Sequence, residues 1–192
     1  VKEGINWVSG STIYVAAGTY VEVGQIVINK NITIIGADKL TTIIKTNQNT
    51  TSSSDGKGWW LVDPGFTFNL SNVTLDGTGF NIWQAIRNKG KGLIDNCIIK
   101  NIQFNSSGPD YAGTGIAAFG TPAMNVDVTN CEFSTIGRVG VLYFGTGITG
   151  SLYNGNTYTG KGVGDWLDYG VELGAGAVAT IQNSTITNNK GV

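Results

Sequence analysis

The sequence predicts an all-β solenoid, a helix of stacked strands, and three observations carry that expectation. Five segments align along the chain: Asn72-Val73-Thr74-Leu75, Asn96-Cys97-Ile98-Ile99, Asn130-Cys131-Glu132-Phe133, Gly155-Asn156-Thr157-Tyr158 and Asn183-Ser184-Thr185-Ile186, at intervals of 24, 34, 25 and 28 residues. A second set lies upstream of the last four: Ala85-Ile86-Arg87, Gly115-Ile116-Ala117, Gly140-Val141-Leu142 and Gly170-Val171-Glu172. Repeats of this length mark solenoids or arrays. The composition agrees: 29 glycines against 3 prolines, with Asn, Thr, Ile and Val filling much of the rest. That mix suits short strands joined by tight turns.

Taken in order, residues 2–8 carry Ile5 and Val8 at helical spacing beside Trp7, which predicts a short amphipathic helix over the open end of the solenoid. Thr12–Val15 reads as a strand and Ala17-Gly18 as a turn. Gln25–Ile28, Asn31–Ile35 and Thr42–Lys45 are strands by their Ile and Thr content, with Gly24 and Gly36 as breaks. Residues 46–58 are polar and aperiodic, which predicts a long loop. Strands resume at Trp59–Val62, Phe66–Leu70 and Val73–Leu75, and from Ala85 onward the unit is regular. Residues 105–113 and 161–168 are insertions that account for the 34- and 28-residue intervals.

One such unit offers only a few inward apolar side chains and cannot bury them alone. Stacking coil on coil puts Ile86, Ile116, Val141 and Val171 in one column and Leu75, Ile99, Phe133, Tyr158 and Ile186 in another. The Asn at each turn tolerates left-handed backbone and can hydrogen-bond the neighbouring coils.

Several function classes recede. Charged residues are 13% of the chain, about half the usual share. The net charge is −1 without a basic run, so no nucleic-acid footprint is present. No apolar stretch reaches the length of a membrane span. There is no histidine, which removes the commonest general base and transition-metal ligand. By length, residues 1–192 form a single domain. Without an initiator Met or signal peptide, they read as a segment of a larger protein or assembly.

Ile13-Tyr14-Val15-Ala16-Ala17-Gly18-Thr19-Tyr20-Val21-Glu22, then Ile26 to Ala37, then Thr42-Ile43-Ile44, resembles the opening coils of right-handed parallel β-helix proteins of the pectin-lyase-like superfamily. Tyr169 to Gly191 is similar to the generic coil of that group. The resemblance implies a right-handed parallel β-helix of about seven coils with the short N-terminal helix as cap. The group holds pectate lyases, pectin methylesterases, glycoside hydrolases, tailspikes, adhesins and non-catalytic surface domains, so fold does not fix function. The opening coil is most similar to pectin methylesterases. Their aspartate segment finds a loose match in Gly164 to Gly170, and no matching glutamine motif follows it. Similarity to pectate lyases would put calcium on clustered carboxylates, from Asp76, Asp95, Asp127 and Glu172, with Arg87 or Arg138 as base.

The candidate residues each carry two readings. Cys97 and Cys131 fall at the same place in consecutive coils, ~4.8 Å apart. Stacked core thiols and a disulfide both fit that spacing. Arg87, Ala117, Leu142 and Glu172 form an outward column, with Phe119 and Phe144 further along their strands. This face is either a saccharide groove or a plain solvated sheet. Trp59, Trp60, Trp83 and Trp166 sit beside loops, where flat rings serve as sugar platforms or as caps. Asp165 and Asp168 flank Trp166 and are either turn residues, an acid–base pair or calcium ligands. Six Asn-x-Ser/Thr sequons occur, with Asn49 and Asn105 the loop candidates for glycosylation.

The expectation is a non-catalytic extracellular or cell-surface domain, a scaffold or adhesin that binds polysaccharide or a surface glycan. One alternative is a polysaccharide lyase or carbohydrate esterase, with catalytic candidates Arg87, Arg138, Asp165, Asp168 and Glu172 and calcium as the only cofactor to consider. The other is a filament subunit that self-associates through open solenoid ends, since Gly191-Val192 reads as the start of a further coil.

Overall fold

The computed structural model describes residues 1–50, 57–104, 112–120, 124–162 and 167–189. Among the described residues twenty strands fall into three parallel sheets, and the chain visits the sheets in turn. The first sheet stacks β1 (Thr12–Val15), β4 (Ile32–Gly36), β7 (Phe68–Ser71), β10 (Gly92–Asp95), β13 (Val126–Thr129), β16 (Ser151–Asn154) and β19 (Ala179–Gln182). The second stacks β2 (Gly18–Glu22), β5 (Thr42–Thr46), β8 (Thr74–Asp76), β11 (Ile98–Ile102), β14 (Glu132–Ile136), β17 (Thr157–Thr159) and β20 (Thr185–Thr187). The third stacks β3 (Ile26–Ile28), β6 (Trp60–Val62), β9 (Gln84–Asn88), β12 (Thr114–Phe119), β15 (Val139–Phe144) and β18 (Tyr169–Gly174). This is a right-handed parallel β-helix of seven coils. The helix α1 (Lys2–Trp7) lies at the first coil with Ile5 buried, and Lys30 donates to the Ile5 carbonyl.

The strand β2 falls where the sequence reads as a turn followed by a break. Tyr20 and Val21 pair with Ile44 and Lys45, so neighbouring coils supply the partner that local sequence does not advertise.

Register fixes three inward columns. Ile26, Trp60, Ile86, Ile116, Val141 and Val171 align in the third sheet. Ile44, Leu75, Ile99, Phe133, Tyr158 and Ile186 align in the second. Ile34, Leu70, Ile94, Val128, Tyr153 and Ile181 complete the core in the first. Members of the middle coils are buried because the coils above and below cover them. In the last coil Ile181 and Ile186 keep the register but are 48% and 41% exposed.

The turn between the first and second sheets carries the repeated asparagine. Asn72, Asn96, Asn130 and Asn183 have φ of 58°, 49°, 54° and 50°, and Gly155 fills the remaining place at 67°. Asn96 Nδ2 donates to Asn72 Oδ1 over 2.8 Å, and Asn183 Nδ2 donates to Asn154 Oδ1 over 2.9 Å. Asn130 Nδ2 donates to Asp95 Oδ1 over 2.8 Å.

The residue after each of these faces inward. Cys97, Cys131 and Asn156 are buried, and Cys97 and Cys131 are free thiols. The Cys97 amide donates to Cys131 Sγ at 3.5 Å, and the Cys131 amide donates to Asn156 Oδ1 at 2.8 Å. Burial and the neighbouring Cys97 thiol push the Cys131 thiol well above its ordinary pKa.

Candidate functional site

The third sheet presents an outward column of Val27, Leu61, Arg87, Ala117, Leu142 and Glu172. Alternation puts these side chains opposite the inward column. Phe119 pairs with Phe144 two residues further on, with ring centroids 5.4 Å apart. Arg87 points outward yet is only 3% exposed. Its guanidinium carbon lies 3.9 Å from the Phe119 ring centroid, and Nη1 donates to Gln84 Oε1 over 2.9 Å. Stacking on a ring face and a hydrogen bond in the guanidinium plane hold this cation rigid.

Around that column lies a cleft of about 340 Å³, whose walls include Trp83, Arg87, Phe119, Arg138, Phe144 and Glu172. Trp83 is braced edge-on by Phe104, with ring centroids 5.4 Å apart. Arg138 enters from the turn before β15, which is pinned by its amide to Gly113 and by its carbonyl to Tyr169. The Arg138 Nε is buried with no hydrogen-bond partner among the described residues. Two arginines face one carboxylate, Glu172, among the described cleft residues.

Five residues expected from the sequence therefore meet in this cleft besides Arg138: Arg87, Glu172, Trp83, Phe119 and Phe144. Others do not. Trp60 is a member of the inward column at 0% exposed, and Trp59 is 2% exposed, so neither ring is free to stack on a ligand. A Trp at the start of a strand reads as loop-side until the register of β6 is known. Asp168 is fully buried and accepts hydrogen bonds from the Tyr158 hydroxyl and the Lys161 amide. Its carboxylate ties the Lys161 amide to the buried Tyr158 hydroxyl. Asp165, Trp166 and the sequon Asn105 lie outside the described residues.

The carboxylates considered for a calcium cluster are scattered. Asp76 lies on the second sheet, Asp95 and Asp127 on the first, and Glu172 on the third. Asp95 accepts from the Thr129 hydroxyl and Asp127 from the Leu152 amide, so both bond to the neighbouring coil. Among the described residues no group of three or more His, Cys, Asp or Glu could hold a metal ion.

Gln84 was not singled out from the sequence, although it positions Arg87. Its signal is its place, three residues before Arg87 of the outward column, at the corner between the second and third sheets. The same corner over the two preceding coils holds a second cavity of about 170 Å³, lined by Gln25, Gln48, Asn49, Thr50, Lys57 and neighbouring residues.

No family model matches the chain, and no curated protein matches it in sequence. Among solved structures the chain is similar to a PL6 family alginate lyase, AlyGC, at 12% identity and a TM-score of 0.33. That alignment covers 96% of this chain and 38% of the lyase chain. The parallel β-helix itself is defined by the register of the three sheets.

Proposed function

We propose that this chain is an extracellular or cell-surface β-helix domain of the pectin-lyase-like kind that binds acidic polysaccharide on its third sheet. The observation that carries the reading is the cleft in which Trp83, Phe119 and Phe144 stand beside Arg87 and Arg138. Aromatic faces pack against the apolar faces of sugar rings. A guanidinium at the cleft wall, as at the half-buried Arg138, matches a carboxylate or sulfate in geometry and charge, while Arg87, only 3% exposed, adds its positive charge from beside Phe119. Two arginines against one carboxylate favour an anionic chain.

Binding without cleavage is the simpler reading of this lining. Acid–base chemistry on one bond needs two groups within reach of it. Arg87 and Glu172 share an outward column but lie three coils apart, about 14 Å at the strand spacing. One observation favours an enzyme instead: Arg138 and Glu172 line the same cleft.

The test is affinity electrophoresis against acidic and neutral polysaccharides at low and high salt, with mass spectrometry of any soluble products. Salt-sensitive retention on acidic polymers without products is expected. Unsaturated or de-esterified products would establish the enzyme in place of the binding domain. No retention on any polymer would end the polysaccharide reading.

A further inference from the structure

The cavity lined by Gln48 and Lys57 is walled off from the third-sheet cleft. The Trp83 amide donates to Thr50 Oγ1 over 2.8 Å, and the Trp59 amide donates to the Gln84 carbonyl over 2.8 Å. A Cβ placed at Gly58 would lie 2.7 Å from the Arg87 Cβ, so only the bare glycine lets the wall close there.

Most acceptors around this cavity are already in use. Thr46 Oγ1 donates to the Gln48 carbonyl over 3.0 Å and accepts from the Gln48 amide over 3.3 Å. Asn49 Oδ1 accepts from the Asn81 amide over 2.8 Å. Thr50 Oγ1, besides accepting from Trp83, donates to the Asn81 carbonyl over 3.3 Å. The Gly58 carbonyl accepts from Gln25 Nε2 over 2.7 Å. The donors are in surplus. Lys57 Nζ, Gln48 Nε2 and Asn49 Nδ2 have no hydrogen-bond partner among the described residues, and no Asp or Glu stands among the described lining residues. Gly24 lies on the wall with φ of 73°. A Cβ there would come within 3.5 Å of both Gln48 Nε2 and Lys2 Nζ, so a second ammonium reaches the same edge, where the Val23 carbonyl holds it over 2.8 Å.

We infer that this corner cavity is a site for a small oxyanion, phosphate or sulfate, separate from the cleft. Lys57 supplies the charge, and the amides of Gln48 and Asn49 supply hydrogen bonds to the oxygens. A cation would find no carboxylate in the described lining, and a neutral polyol would find few acceptors left for its hydroxyl protons.

The experiment is nitrogen–proton correlation NMR of the full chain, titrated with sodium phosphate, sodium sulfate and methyl phosphate against sodium chloride at equal ionic strength. The side-chain amides of Gln48 and Asn49 and the Trp59 indole report on this cavity, and the Trp83 indole reports on the cleft. The titrations are repeated on Lys57→Gln and on Gln48→Ala. Lys57 is half-buried and Gln48 exposed, so the fold tolerates both changes. Saturable shifts of Gln48 and Asn49 beyond those in chloride are expected. Lys57→Gln is expected to weaken the affinity by about tenfold or more, and Gln48→Ala by less. Shifts equal to those in chloride would be screening alone and would overturn the site. A saturable response that Lys57→Gln leaves unchanged would overturn it as well. A response to methyl phosphate alongside the free ions would uphold the site for the group carried on a larger molecule. A response to the free ions alone would uphold it for the ions themselves. Polysaccharide binding is read at the Trp83 indole, so its failure and the failure of this site are told apart.

Discussion

Asn96 donates from its side-chain amide to Asn72 Oδ1, one coil away, over 2.8 Å, while both residues hold left-handed backbone at φ of 49° and 58°. The residue type thus answers two demands at once, a turn that most side chains resist and a bond between coils. Asn96→Ala is expected to cost about 1–3 kcal/mol, from backbone strain and the lost hydrogen bond. Asn96→Gly is expected to cost less than Asn96→Ala, because glycine keeps the turn. Urea unfolding of the two variants checks the order, and equal losses would mean that the turn geometry contributes nothing.

Ile99 and Ile186 occupy one column, separated by Phe133 and Tyr158. Ile99 is fully buried, whereas Ile186 is 41% exposed. Ile99→Ala is expected to destabilise by roughly 2–5 kcal/mol. Ile186→Ala is expected to cost clearly less, since its side chain leaves little apolar area to lose. Thermal unfolding of both variants in parallel measures the difference that stacking makes.

Asp76 sits between Lys45 and Lys100 on the second sheet. Burial opposes its ionisation. Hydrogen bonds from Thr78 and Asn101 with the Lys100 charge outweigh that and hold the carboxyl below its ordinary pKa of 3.8. A carboxyl lowered by folding stabilises the native state fully above its unfolded pKa. That stability is lost as pH falls through the lower folded value. The melting temperature of the native chain should therefore fall more steeply below about pH 4 than that of Asp76→Asn. Parallel acid limbs in the two proteins would remove Asp76 from the acid response.

Cys97 and Cys131 are both fully buried, and burial raises the Cys131 thiol pKa. Neither thiol is expected to react with a disulfide reagent in the native protein, because the thiolate is the reacting form and neither sulfur is accessible. Two thiols are expected after denaturation. None after denaturation would mean that the pair is oxidised in the isolated protein.

Phe144 is the exposed member of the ring pair with Phe119, at 42%. Phe144→Ala is expected to weaken polysaccharide binding by about 1 kcal/mol, the scale of one aromatic contact, with little effect on stability. Arg138→Ala is expected to weaken binding to acidic polymers more than to neutral ones. Arg87→Lys keeps the charge but loses the planar stacking on Phe119, so it should lose binding as well. Equal affinity for all three variants and the native chain would place the ligand elsewhere.

The sequence by itself determined the coil. A repeated Asn followed by a small inward residue, and a Gly just before the inward residue of β12, β15 and β18, set where the chain turns and which side chains stack, as at Asn96-Cys97-Ile98-Ile99. These signals are legible because a solenoid repeats one local environment, and each coil meets the same physical demand. The outward column of Arg87, Ala117, Leu142 and Glu172 followed from the same register. Only the tertiary structure decided what lies between coils. Trp60 turned out to be core and Asp168 a buried anchor, because insertions interrupt the rhythm from which an inward or outward face is counted. The cleft gained Trp83 and Arg138, which stand at corners that the strand pattern does not link to the pair Phe119 and Phe144. The union of Gly58 with Arg87 depends on a close approach of two chains, which is a distance in space and leaves no period in the sequence.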